Sequence, residues 1–358
     1  MKALRFHGNR DIRVDDVPEP TCSKGHVKVA PEWCGICGSD LHEFLEGPIF
    51  CPTSRPHPLT GEVAPITLGH EFSGMIEEVG EGVTNFKVGD RVCIQPIIYD
   101  DTCPACEEGL INCCWQNGFR GLSGGGGGLS EHIVVPEASV YKLPDNVSME
   151  VGALIEPLAV GWHAVDISPW KADPKSTALI LGGGPIGLAV IQALKARGEG
   201  VVVVSELSGK RKAFAKEFGA DITIDPSKED LIQRCQDLTK KRGVDIVFDC
   251  AGVQAAMDDA VKALRARGTF VNIAVWESTC KITPSLFNFK ERAYMGVATY
   301  QAGDYDAVLD AISSGRMKPE GMITKKIKLD EVVEEGFSAL IHDKENQVKI
   351  LVASKQVV

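Results

Sequence analysis

Along the first 150 residues, apolar positions come in short runs punctuated by Gly and Pro. V-K-V-A at Val27, G-M-I-E-E-V-G at Gly74 and D-R-V-C-I at Asp90 are examples. Frequent turn signals between short strands predict a β-rich, barrel-like unit. From about Val151 the pattern changes. Strand-like runs at Ala178, Val201, Asp245 and Thr269 alternate with helical segments over Gly187–Arg197, Lys210–Phe218 and Ala255–Leu264. That βαβ order predicts a parallel sheet covered on both faces. The last stretch shows helical amphipathicity and then K-I-L-V at Lys349, and is expected to rejoin the first unit. The fold class is therefore α/β, with domains 1–152 plus 300–358 and 153–299. Two irregular segments stand out. Gly47 to Ile66 is Pro-rich, and a loop this long is usually functional or mobile. Gly124 to Gly128 are five consecutive glycines, expected to form a flexible turn.

The length of 358 residues suits two domains of ordinary size. A formal net charge of −11 argues against a nucleic-acid or anionic-membrane partner. The opening M-K-A-L-R-F-H-G has no signal-peptide core, and no apolar run reaches the ~18–20 residues of a membrane span. A cytoplasmic location is expected. In that reducing setting the twelve cysteines point to metal or catalytic roles before disulfides. Cys22, Cys235 and Cys280 sit alone and read as small buried hydrophobes.

Gly182, Gly184 and Gly187 fit G-x-G-x-x-G, with Pro185 and Ile186 between the last two, directly after a strand and opening a helix. The first glycine permits the turn, the second lets backbone approach a pyrophosphate, and the third lets helix and strand pack. The helix N-terminus offers amide donors and a positive dipole end. Glu206 ends the next strand, at the spacing of the acid that binds a ribose 2′-hydroxyl, which favours NAD over NADP. Lys210 and Arg211 follow. Their plainer role is a solvated helix start, and Arg211 is the one retained as a cofactor contact.

Cys37 and His70 are ligand types that zinc takes, and Glu71 and Glu156 are placed to complete or support such a site. Few ligands, scattered and mixed in type, suit a catalytic metal, which keeps one position open. Glu156 sits in the apolar segment G-A-L-I-E-P-L-A-V-G, where a carboxylate needs a cation or strong hydrogen bonds. A second cluster runs from Asp100 to Cys114. Cys103 and Cys106 form C-x-x-C, and with Cys114 and Asp100 they make four candidate ligands of a structural zinc.

These motifs identify a resemblance that covers nearly the whole chain. C-G-I-C-G-S-D-L-H-E, T-L-G-H-E-F-S-G, E-P-L-A-V-G-W-H-A and G-G-G-P-I-G resemble the zinc-dependent medium-chain alcohol dehydrogenases. The G-P-I-F-C-P insert and the following H-P-L-T-G are most similar to the polyol and diol branch. The resemblance implies a GroES-like catalytic domain joined to a Rossmann domain, with the site in the cleft between them. It implies Cys37 and His70 as catalytic zinc ligands, Glu71 as a carboxylate adjacent to the metal, and Glu156 where this branch carries a glutamate. Ser39 and His42 match the proton-relay hydroxyl and imidazole. Lys349 matches a basic residue that reaches the cofactor's pyrophosphate. Asp100 stands where the family usually has the first cysteine of its structural lobe. The implied reaction is NAD-dependent oxidation of (R,R)-2,3-butanediol to acetoin. Sorbitol or xylitol oxidation is the rival, and a non-catalytic zinc- or nucleotide-binding relative the remote one. A homodimer or homotetramer is also implied.

Overall fold

The computed structural model describes residues 1–276 and 278–354. The chain folds into two compact units. One comprises Met1–Glu156, Gln301–Ser313 and the chain from Pro319 onward, and the other Pro157–Tyr300 with Ser314–Lys318.

The first unit is built on a seven-stranded sheet and a three-stranded one. Val27 and Val29 of the strand His26–Gly35 and Phe72 and Ile76 of the strand Glu71–Val79 join one core, and much of each strand is buried on both faces. These two strands pair antiparallel, and the register sets Gly35 opposite Glu71. On its other side Gly35 pairs with Leu351 of the strand Lys349–Ala353. The C-terminal strand thus enters the centre of the N-terminal sheet, two residues from Lys349. The helix Gly38–Glu46 follows directly on the first of these strands.

The glycine run is not the flexible turn that its composition suggested. Gly124, Gly125 and Gly126 have φ of +95°, +74° and +79°, the left-handed region that glycine tolerates. Gly124, Gly127 and Gly128 are buried. A Cβ at Gly127 would overlap the Leu68 carbonyl oxygen, and one at Gly128 the Phe72 ring. The absence of side chains serves close packing here.

The second unit carries six parallel strands in the order 222–224, 201–205, 177–181, 244–249, 264–272 and 293–296. The chain runs outward from Thr177–Leu181 in one direction and then in the other, so a crevice opens at the C-terminal ends of the central strands. The expected helices are present as Pro185–Arg197, Gly209–Glu217 and Gln254–Ala263. The short strands Ile222–Ile224 and Ala293–Gly296 had no clear sequence pattern.

Candidate active site and metal centres

The strand His26–Gly35 ends two residues before Cys37, and Cys37 is the N-cap residue of the helix Gly38–Glu46. Glu71 opens the strand that pairs with it, so His70 lies just outside the sheet. The Cys37 Sγ, a His70 ring nitrogen and a Glu71 carboxylate oxygen come within 4.8 Å of one another. Ser39, in the first turn of the helix, places its Oγ 3.2 Å from His70 Nε2.

Asp40, which the sequence pattern did not single out, completes this group. It is fully buried and accepts a hydrogen bond from the Cys37 backbone N–H. Its Oδ1 faces His70 Nδ1 at 3.7 Å, and neither atom has a hydrogen-bond partner. Burial pushes the Asp40 carboxyl up to about 6, against the opposing pull of His70. Burial disfavours a charged His70, but Asp40 and Cys37 outweigh it and hold the imidazole pKa well above its ordinary value. A carboxylate behind one ring nitrogen, with the other facing a thiol, is how metal-ligating histidines are oriented. The residues present therefore fit a zinc ion, whose binding would displace the imidazole proton. The one local clue was an acid three residues after Cys37. Phe119, also missed, sets its ring edge-on to His70 at 6.1 Å, and nothing in the sequence pattern signals that contact.

Lys349 lies buried beside Glu71. It is 2 % exposed, and its Nζ donates to Glu71 Oε1 and Oε2 at 2.7 and 2.6 Å and to the Ile36 carbonyl at 3.3 Å. Burial lowers its pKa, but Glu71 and Cys37 raise it further, and the net shift is upward. In this structure the ammonium is the counter-ion of Glu71. Gly35 makes this possible, since a Cβ there would overlap Glu71 Oε2 and stand 3.1 Å from Lys349 Cδ. Glu156 is 6 % exposed in the first turn of Ile155–Asp166. It is outside the three-residue group, but its charge raises both His70 and Lys349. His42 sits half-buried one turn beyond Ser39 on the same helix.

In the lobe, ligand atoms of Asp100, Cys103, Cys106 and Cys114 all lie within 4.8 Å of one another. The Cys103 Sγ is 3.6 Å from that of Cys106 and 3.9 Å from that of Cys114. A tetrahedral site with Zn–S of about 2.3 Å has sulfur–sulfur edges of about 3.8 Å, so this donor set also fits zinc. Asp100 Oδ1 accepts from the backbone N–H of Thr102 and Cys103, both at 2.9 Å. Those two amides hold its carboxyl down at about 2. Cys113 is exposed and outside the group.

In the second unit, Gly182 has φ +92° at the end of the strand Thr177–Leu181. Gly184 is the N-cap residue of Pro185–Arg197, with Pro185 and Ile186 in its first turn. A Cβ at Gly187 would overlap the Gly182 carbonyl oxygen, so that glycine closes helix onto strand. Glu206 Oε2 accepts from Gly183 N and its Oε1 from Ser208 N, both at 2.8 Å. The Arg211 guanidinium stands 3.8 Å from where a Gly184 Cβ would lie, which brings it to the turn.

Residues 23–145 match the model of the alcohol dehydrogenase GroES-like domain, and residues 185–314 that of the zinc-binding dehydrogenases. The chain is 47% identical over 353 residues to the (R,R)-butanediol dehydrogenase of Bacillus subtilis (strain 168), covering 98% of this chain and 99% of that protein. The crystal structure of 2R,3R-butanediol dehydrogenase from Bacillus subtilis superposes with a TM-score of 0.93 at 46% identity, over 99% of each chain. Galactitol-1-phosphate dehydrogenase from Escherichia coli, at 27% identity and a TM-score of 0.86, covers 99% of this chain and all of that one. With both family models matched in order and the thiol–imidazole group in place, the chain belongs to the zinc-type, medium-chain alcohol dehydrogenases.

Proposed function

We propose that this protein catalyses the NAD-dependent oxidation of (R,R)-2,3-butanediol to acetoin and its reversal, with acetoin and diacetyl as the related couple. The observation that carries the substrate is full-length 47% identity to a protein of that activity, against 27% for a polyol-phosphate enzyme. Bound at its group, zinc supplies a Lewis acid that makes a hydroxyl more acidic, and NAD supplies the hydride acceptor.

The chain's own residues do the rest. Cys37 and His70 would hold the metal, Asp40 fixes the His70 ring, and Phe119 packs beside it. Glu71 has both oxygens on Lys349, so we assign Glu156 as the third, carboxylate ligand. The Ser39 hydroxyl, within a hydrogen bond of His70, receives the substrate proton, and His42 on the same helix face exchanges it with solvent. Asp100, Cys103, Cys106 and Cys114 hold a structural zinc. Gly182, Gly184 and Gly187 with the helix N-terminus receive the pyrophosphate, and Glu206 the ribose.

We also infer a cytoplasmic homo-oligomer, a dimer or a tetramer. No described helix is long and apolar enough to cross a membrane. The edge strand Ala293–Gly296 pairs on one side only and leaves Tyr294 43% exposed.

The test is a turnover panel with NAD and NADP over the three butanediol stereoisomers, sorbitol, xylitol and ethanol, with and without a zinc chelator. Chelator-sensitive NAD reduction that favours (R,R)-butanediol is expected. Preference for sorbitol or xylitol would move the enzyme to the polyol branch, and silence on every substrate in zinc-loaded protein would overturn the substrate class.

A further inference from the structure

Asp40 faces the His70 ring, and the peptide that carries the ring is held by backbone contacts. Gly69, with φ +98°, accepts a hydrogen bond at its carbonyl from Gly128 N at 2.7 Å. A Cβ at Gly121 would overlap the Gly69 carbonyl carbon and oxygen. A Cβ at Gly69 itself would stand 2.6 Å from Leu129 N and 2.8 Å from Cys34 Sγ. The peptide before His70 is therefore gripped between Gly121 and Gly128–Leu129. The grip closes on itself, because Gly121 N donates to Gly126 O at 2.7 Å. Beyond it, Leu129 N donates to Leu68 O at 3.0 Å. Gly127 and Gly128 abut Leu68 and Phe72, so the run spans the chain on both sides of His70.

The Pro-rich insert backs this arrangement from outside. Thr60 Oγ1 donates to Ser123 O at 2.8 Å, and Glu62 Oε1 accepts from Gly125 N at 2.8 Å. Gly124 has room for no side chain between them, since its Cβ would lie 2.8 Å from Thr60 Oγ1 and 2.9 Å from Glu62 Cβ. Contact thus runs from the insert, through the glycines, to the Gly69 peptide that precedes His70. Just before the stretch, Phe119 stands perpendicular to the His70 ring.

We propose that Gly121 and the Gly124–Gly128 run, braced by Thr60 and Glu62, are positioning residues that hold His70 where a metal needs it. This rests on the assignment of Cys37 and His70 as metal ligands. Ligand distances tolerate only about 0.2 Å. A methyl group at Gly121 cannot be seated without moving the Gly69 peptide by more than that, so its effect falls on the imbedded imidazole. The insert is accordingly a fixed brace in this fold, and its length serves the metal as well as any substrate.

The experiment replaces zinc by cobalt and reads the visible absorbance, with Cys37→Ala supplying the lobe's share for subtraction. Gly121→Ala and the double variant Thr60→Val/Glu62→Ala are compared with Val140→Ala, a cavity in the same core that sets the cost of ordinary destabilisation. Gly121→Ala is expected to alter the Cys37-dependent bands and to release that metal to a chelator about tenfold faster. The double variant shifts both in the same direction by less. Val140→Ala lowers the melting temperature and leaves bands and release unchanged. Wild-type bands and release rate in both glycine-brace variants would overturn the proposal. If Gly121→Ala does not fold, the double variant decides alone. Absence of any Cys37-dependent band in the wild type would instead overturn the metal assignment.

Discussion

Replacing Lys349 by methionine isolates the buried Glu71–Lys349 pair. The substitution keeps most of the side-chain volume and leaves the Glu71 carboxylate, fully buried, without its cation. Removing one partner of a buried pair costs about 3–5 kcal/mol, because the remaining charge keeps its full desolvation penalty. For a unit of this size each kcal/mol moves the melting temperature by about 2–4 °C, so the expected drop is about 6–20 °C in metal-free protein. The double variant Glu71→Met/Lys349→Met removes both charges and should recover most of the loss. The pH dependence has a definite sign. In the wild type, where the folded Lys349 pKa is raised, the pair's contribution is present below the unfolded lysine value and fades as pH climbs through the folded one. Denaturation by calorimetry across pH measures all of this. A K349M loss below about 1 kcal/mol, or a double variant no better than the single, would refute a desolvated ion pair at this position.

Three further outcomes are expected. Cys37→Ala should lower turnover by about a thousandfold or more, since a Lewis acid is worth several kcal/mol, while NAD binding by fluorescence titration survives; lost NAD binding would break the division between metal and nucleotide sites. Glu206→Ala should relax the preference for NAD over NADP and, by freeing the Gly183 and Ser208 amides, weaken NAD itself; an unchanged ratio of kcat/KM values would contradict the ribose assignment. Asp100→Asn keeps an oxygen for the Thr102 and Cys103 amides but removes the charge. Metal analysis should then show zinc lost from the lobe, with little change in the stability of the metal-free protein; full zinc retention would count against Asp100 as a ligand.

The glycine turn was legible because its whole mechanism fits within six residues. A left-handed Gly182 and a packed Gly187 meet backbone demands set by their immediate neighbours, and Gly184 leaves the turn open between them. The four-ligand lobe was legible for the same reason, since Asp100 to Cys114 closes a short loop and brings its donors together by local geometry. The alternation of strand and helix after Val151 likewise announced the parallel sheet, although Ile222–Ile224 and Ala293–Gly296 were too short to show a period. Other features depend on registers formed across hundreds of residues. Glu71 and Lys349 are 278 positions apart, and only the insertion of the last strand beside Gly35 makes them a pair. Asp40 was one more acid near a cysteine until the sheet carried His70 to its Oδ1. The five glycines were the sharpest reversal. Composition reports the conformational freedom of an isolated chain, whereas in the fold the missing side chains are the space through which Leu68, Gly69 and Phe72 are approached. Local sequence determined which backbone shapes and donor types were available. The long-range register of the sheet decided which of them meet, because burial leaves a charge or a close backbone contact only the partners that the strands bring to it.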